Sequence, residues 1–173
     1  YEREDRETPA PFDFASYRGN STEADITALS NLLQNNFGYN PGGFANSLSS
    51  LVSDKLIAKI DWNVNDNNTL SLKHSYVKAL ETSAGSSNSG SINFFNAGLG
   101  FESITNSTAL EFNSRFGSKY ANNLVIAYTS VDDNRDPLGD PFPRVQVRDG
   151  AGSINFGSEA FSTANLLEQR IVT

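Results

Sequence analysis

From Asp54 onward the sequence alternates. Leu56, Ala58, Ile60, Trp62 and Val64 fall on one side of an extended chain, and Lys59, Asp61 and Asn63 on the other. After Asn65-Asp66-Asn67-Asn68 the alternation resumes with Leu70, Leu72, His74 and Tyr76 against Ser71, Lys73 and Ser75. A period of two with a turn-forming centre predicts a β-hairpin over 54–79, the Asn/Asp cluster tolerating left-handed backbone and bonding its own main chain. The pattern recurs over 105–131. Thr108, Leu110 and Phe112 alternate with Ala109, Glu111, Asn113 and Arg115, a turn follows at 117–122, and Leu124, Ile126 and Tyr128 return opposite Val125, Ala127 and Thr129.

The connections have a rhythm of their own. Long irregular stretches at 6–53, 80–104 and 132–165 separate the hairpins, and 1–5 and 166–173 read as ends of further strands. Connections longer than about 12–15 residues are uncommon in compact soluble domains. Long connections alternating with tight turns are the habit of outer-membrane β-barrels, whose strands of about 9–11 residues face lipid on one side and the lumen on the other. A soluble sandwich with its apolar face on a core produces the same period and stays open; the loop asymmetry favours the barrel. The expectation is all-β: a partial antiparallel transmembrane barrel of about five or six strands with long extracellular loops.

One helix is expected, near 22–36 in the first long loop. Ser21-Thr22-Glu23-Ala24-Asp25 supplies a cap and an acidic first turn, Ile26, Leu29, Leu32, Leu33 and Phe37 follow at helical spacing, and Gly38 ends it. Its apolar stripe requires cover, from neighbouring loops or from a partner protein.

Composition narrows the chemistry. With 20 Asp+Glu against 13 Lys+Arg and a net charge of −7, the chain lacks the basic face of a nucleic-acid binder. It has no Cys and one His, which excludes thiolate sites and leaves little for a catalytic triad; no enzyme is expected. Mean hydropathy is −0.41 although charged residues are only 19%, so Ser and Asn carry the polarity. The chain begins at Tyr1 and ends in strand-like Ile171-Val172-Thr173, which reads as an internal piece of a longer protein.

Residues 55–72 (KLIAKIDWNVNDNNTLSL) resemble the barrel hairpin of TonB-dependent outer-membrane receptors, most of all the Oar-like branch of Bacteroidota and myxobacteria, whose members carry a carboxypeptidase-regulatory-like domain. Residues 1–9, 106–114, 121–129, 142–145 and 161–169 extend the resemblance in order along the chain. It implies a 22-stranded barrel with a plug, energised through TonB, in the outer membrane of a Gram-negative bacterium. The plug, the TonB box and the C-terminal strands have no counterpart in these residues. It further implies contact with outer-membrane lipid and an accessory outer-membrane or surface protein.

Under that reading Lys59, Asp61, Lys73, Glu111 and Arg115 face the lumen, as a wall past which substrate or plug moves or as an internal salt-bridge network. Ile60, Trp62, Tyr76, Leu110, Phe112, Phe116 and Tyr128 face lipid or form the aromatic girdle, with Trp62 and Phe116 beside the short turns. His74 sits in the apolar register as a wall residue. The loop aromatics Phe94, Phe95, Phe142 and Phe156 are ligand candidates, and with Phe101 they support the alternative of a soluble glycan-binding domain; an adhesive or structural barrel is the other alternative. No cofactor is expected. Asp132, Asp136 and Asp140 are weak calcium candidates, since Pro137 and Pro143 occupy the positions where an EF-hand needs Gly and Glu. Gly150-Ala151-Gly152 is a near miss for a dinucleotide fingerprint. The pentapeptide Gly-Ser-Ile-Asn-Phe occurs twice, at 90–94 and 152–156, as coincidence or as two loops that fold against each other or toward a ligand.

Overall fold

The computed structural model describes residues 1–160 and 166–173. It is mostly β. Six strands, β1 (Glu2–Ala10), β2 (Ser47–Asn65), β3 (Asn68–Ser83), β5 (Leu99–Phe116), β6 (Tyr120–Pro137) and β9 (Leu167–Val172), form one antiparallel sheet in the order β1-β2-β3-β5-β6-β9. A second sheet of three short strands, β4 (Ser91–Asn93), β7 (Val145–Asp149) and β8 (Gly152–Phe156), has the order β4-β8-β7. The large sheet is open: among the described residues β1 and β9 each have a strand on one side only, and it is not a closed barrel.

Both hairpins stand where the alternation puts them, with longer arms. β2, β3, β5 and β6 run to 19, 16, 18 and 18 residues, so 47–53, 80–83, 99–104 and 132–137, expected as loop, are strand. Those segments mix polar and apolar residues without a period of two, yet their backbones stay paired, as in Ser50↔Thr82 and Ile104↔Asp132. The turns at Asp66-Asn67 and Gly117-Lys119 lie at one end of the sheet, and all three long connections leave from the other. In the first turn the Asn65 carboxamide oxygen accepts from the Asn67 N–H and from Asn68, and no residue of that turn takes positive φ; among the described residues the non-glycine that does is Asn46.

The three connections fold together into a cap. Its helix α1 (Glu23–Phe37) starts with a capping box, Thr22 bonding the Asp25 N–H and Asp25 bonding the Thr22 N–H, and stops at Gly38, whose φ of 66° suits a residue without a Cβ. Ile26, Leu33, Tyr39, Ile92, Phe94, Ile154 and Phe156 form the buried core of the chain, with Phe12, Phe14, Tyr17, Leu29, Phe44, Phe142 and Val145 packed around it. Every one of these residues belongs to the connections or to the small sheet. The large sheet contributes none, and its faces lie outside that core.

Candidate functional site

Register turns alternation into rows that cross the large sheet. On the apolar face Trp62, Leu70, Phe112 and Leu124 are successive cross-strand neighbours, followed by Ile60, Leu72, Leu110 and Ile126. Next come Ala58, His74, Thr108, Tyr128 and Val172, and then Leu56, Tyr76, Asn106, Ser130 and Arg170. These side chains are open to the surroundings: Ile60 is 67% exposed, Trp62 61% and Ile126 51%. A soluble sheet buries such a face at roughly 25 cal/mol per Å²; here nothing in the described chain covers it.

The apolar rows stop at a line of charge. The next row toward the cap holds Asp54, Lys78 and Asp132, and ion pairs run along it: Arg3 to Asp54 at 3.9 Å, Lys78 to Glu102 at 2.8 Å, and Arg170 to Asp132 at 2.9 Å and to Glu168 at 2.7 Å. From Asp54 to the turn run ten residues, 55–64. That is about 33 Å of strand, or about 25 Å of vertical height at the 35–45° tilt of outer-membrane strands, the height of their apolar band. Phe116 and Tyr120, directly paired at the turn end, are 62% and 73% exposed, and Tyr76 and Tyr128 stand on the cap side. His74 shares a hydrogen bond of 2.9 Å with its cross-strand partner Thr108, which satisfies a polar group on this face.

Lys59, Asp61, Lys73, Glu111 and Arg115 occupy the other face, as expected. Lys59 pairs with Asp61 at 2.9 Å, and Asp61 also accepts from Ser71 across the strand pair. Glu111 accepts from Asn113 and Asn123 at 2.9 and 2.7 Å. The arrangement is a polar ladder more than a salt-bridge network, since Lys73 and Arg115 have no carboxylate partner among the described residues. This face is also less polar than the alternation suggests, because Ile57, Val77, Val125 and Ile171 share it.

The cap corrects several expectations. Phe94 is fully buried and Phe156 is 6% exposed. Phe142 stacks on Tyr39 at 4.2 Å, and Phe95 packs against Gly42 and Gly43. Phe94 and Phe156 are therefore core residues, while Phe95 and Phe142 are half-buried against the cap. Phe101 lies in β5 opposite Arg135. The helix stripe is covered at Ile26 and Leu33 by the chain's own loops, and only Leu32 and Phe37 project. Asp132 and Asp136 lie four residues apart on β6, about 13 Å along a strand, each already paired, with Arg170 and Asn134 respectively. They do not converge with Asp140, and no group of three metal-ligating side chains gathers among the described residues. Gly150-Ala151 is the turn of the β7–β8 hairpin, with Gly150 at φ 58°.

The pentapeptide repeat has a physical outcome. β4 and β8 pair in parallel with identical residues opposite one another: Ser91↔Ser153, Ile92↔Ile154 and Asn93↔Asn155. The two isoleucines enter the core, and the asparagines bond side chain to side chain at 2.8 Å. Beside this pair, Asp149 accepts from the Tyr17 hydroxyl at 2.9 Å and from the backbone N–H groups of Ser21 and Asn20 at 3.1 and 3.2 Å, tying the first connection to the third. Desolvation pushes the Asp149 carboxyl up, but the hydrogen bonds from Ser21, Tyr17 and Asn20 outweigh it and leave the pKa lowered. Desolvation, and then the bond to Asp149, push the Tyr17 phenol up to about 12.

No protein-family model, characterised protein or solved structure matches the chain. No helix among the described residues is long and apolar enough to cross a membrane, which says nothing of strands.

Proposed function

We propose that the chain is a segment of an outer-membrane β-barrel wall, its three connections forming a folded cap on the outer side. The observation that carries this is the exposed apolar band bounded by a row of ion pairs, on a sheet whose cap holds the core instead. Unpaired strand edges do not persist in lipid, so the open sides of β1 and β9 are where further wall strands join. The resemblance of residues 55–72 to TonB-dependent receptors adds the class: a non-enzymatic transporter taking up a ligand, coupled to TonB through parts of the protein outside these residues. The cap then forms the external access surface, where an accessory outer-membrane or surface protein would bind.

The single tryptophan makes the test direct. The protein is incorporated into bilayers containing lipids brominated at graded acyl depths. Trp62 fluorescence is expected to be quenched most by bromines near the interface, and little by aqueous iodide. Efficient iodide quenching with no response to brominated lipid would overturn the reading.

A further inference from the structure

The three connections contain three basic residues, Arg18, Arg144 and Arg148. Two of them flank one strand. Arg144 precedes β7 and Arg148 lies within it, so with Gln146 they recur at every second position, and all three are exposed. Neither arginine has a carboxylate within ion-pair distance among the described residues, in a chain carrying net charge −7. The opposite face is committed: Val145 packs on the core and Asp149 holds Tyr17.

β7 is also the edge of the small sheet. Among the described residues it pairs with β8 alone, through Asp149↔Gly152 at the two-residue turn Gly150-Ala151, Val147↔Ile154 and Val145↔Phe156. In such a hairpin the pair closing the turn exchanges both backbone bonds, and alternate residues point theirs away. The N–H and C=O groups of Gln146 and Arg148 therefore face outward along the edge. A hollow of about 420 Å³ opens beside them, lined by Gln146, Arg148, Gly152 and Ser153. The far edge of β4 lacks this openness, because the Ser87 hydroxyl and the Asn88 backbone already bond Asn93 and Ser91.

We infer that β7 is a docking edge for an extended acidic peptide segment of a partner protein, which adds as a fourth strand. Backbone bonds to Gln146 and Arg148 supply the pairing, and carboxylates spaced two residues apart meet Arg144 and Arg148; main-chain bonding gives affinity and the alternate side chains give selectivity. Charge complementarity selects this partner: these are two unpaired cations on an open edge of an acidic chain. The inference stands on the cap alone and does not require the wall to be a membrane wall.

The probe is a fluorescently labelled heptapeptide alternating glutamate and valine, titrated against the full chain and followed by anisotropy. Controls are the lysine–valine counterpart and a version N-methylated on alternate amides. Saturable binding is expected for the glutamate peptide only, weakened about tenfold or more by Arg148→Glu and retained by Arg148→Lys. Gln146→Pro, which removes an outward N–H and spares the bonds to β8, is expected to abolish it. Absence of saturable binding, equal binding of the lysine or N-methylated peptides, or indifference to Arg148→Glu would each overturn the inference, and the methylated peptide decides the backbone term even if the proline variant does not fold.

Discussion

Asn155 donates its carboxamide N–H to the carboxamide oxygen of Asn93 at 2.8 Å, across two parallel strands drawn from the two copies of the same pentapeptide. The Asn155 main-chain carbonyl accepts from the Phe94 N–H at 3.1 Å, so one residue ties both backbone and side chain of the second connection to the third. Asn155 is 7% exposed. Asn155→Ala is expected to destabilise the cap by about 1–3 kcal/mol, because a buried amide left without its partner keeps its desolvation cost. A double-mutant cycle with Asn93→Ala, read by chemical denaturation, should show a coupling of about 0.5 kcal/mol or more; simple additivity would mean that the two side chains act independently.

Phe94 is fully buried among Phe44, Ile92 and the small sheet. Phe94→Ala is expected to cost about 3–5 kcal/mol by opening a cavity the surroundings cannot refill. Exchange of cap amides should accelerate while those of β3 and β5 hold, since the large sheet adds nothing to that core. Uniform loss of protection would show that cap and wall unfold as one unit.

Ile60→Lys and Leu110→Lys, in the middle of the apolar rows, are expected to cost about 2–4 kcal/mol in a bilayer-embedded barrel. Lys59→Gln and Glu111→Gln, on the other face, should be milder. Unfolding in urea from lipid vesicles measures both, and equal tolerance at the two sets would remove the face assignment.

Thr22→Ala is expected to cost about 1 kcal/mol by releasing the Asp25 N–H at the start of α1. Gly38→Ala should also destabilise, because its φ of 66° forces a Cβ into the left-handed region. Thermal unfolding of the two variants and their double mutant measures whether the ends of the helix contribute separately.

The cap is held by a pH-sensitive contact. Asp149 has a lowered pKa in the folded state, so its contribution is complete above the unfolded carboxylate value near 3.9 and fades as pH falls through the lower folded value. Tyr17 has the opposite sign: raised to about 12, it favours the folded state below pH 10 and loses that contribution as pH rises toward 12. Asp149→Asn should reduce the acid-side dependence, Asp25 at the start of α1 keeping its own share, and Tyr17→Phe should remove a late-ionising phenol from an ultraviolet titration.

The two hairpins were legible because apolar and polar residues on opposite faces of a strand recur in the sequence at period two. Ile60, Leu72 and Leu110 lie in one row as the alternation requires. The upper halves of the same strands were not legible, since Ser49, Ser50, Thr82, Ser83, Asn134 and Asp136 are polar whichever way they point. The Asp132–Asp136 stretch looked like a loop for that reason. The burial of Phe94 and Phe156 was not legible, because a phenylalanine in a polar connection has the same local context whether it meets a ligand or another phenylalanine. The repeated pentapeptide was visible, but parallel pairing between residues about sixty apart has no local signature. Residues 161–165, part of the expected third loop, lie outside the described segments.

The meeting of β4 with β8 has a consequence for assembly. The two copies are carried by different connections, one between β3 and β5 and the other between β6 and β9, and they lie residue against residue in the folded chain. A slip of one residue between these two copies would leave Ile92 facing Ser153 or Asn155 in place of Ile154. Closure of the cap thus joins two connections that leave the large sheet on either side of the β5–β6 hairpin, and the core is complete only when both are in place.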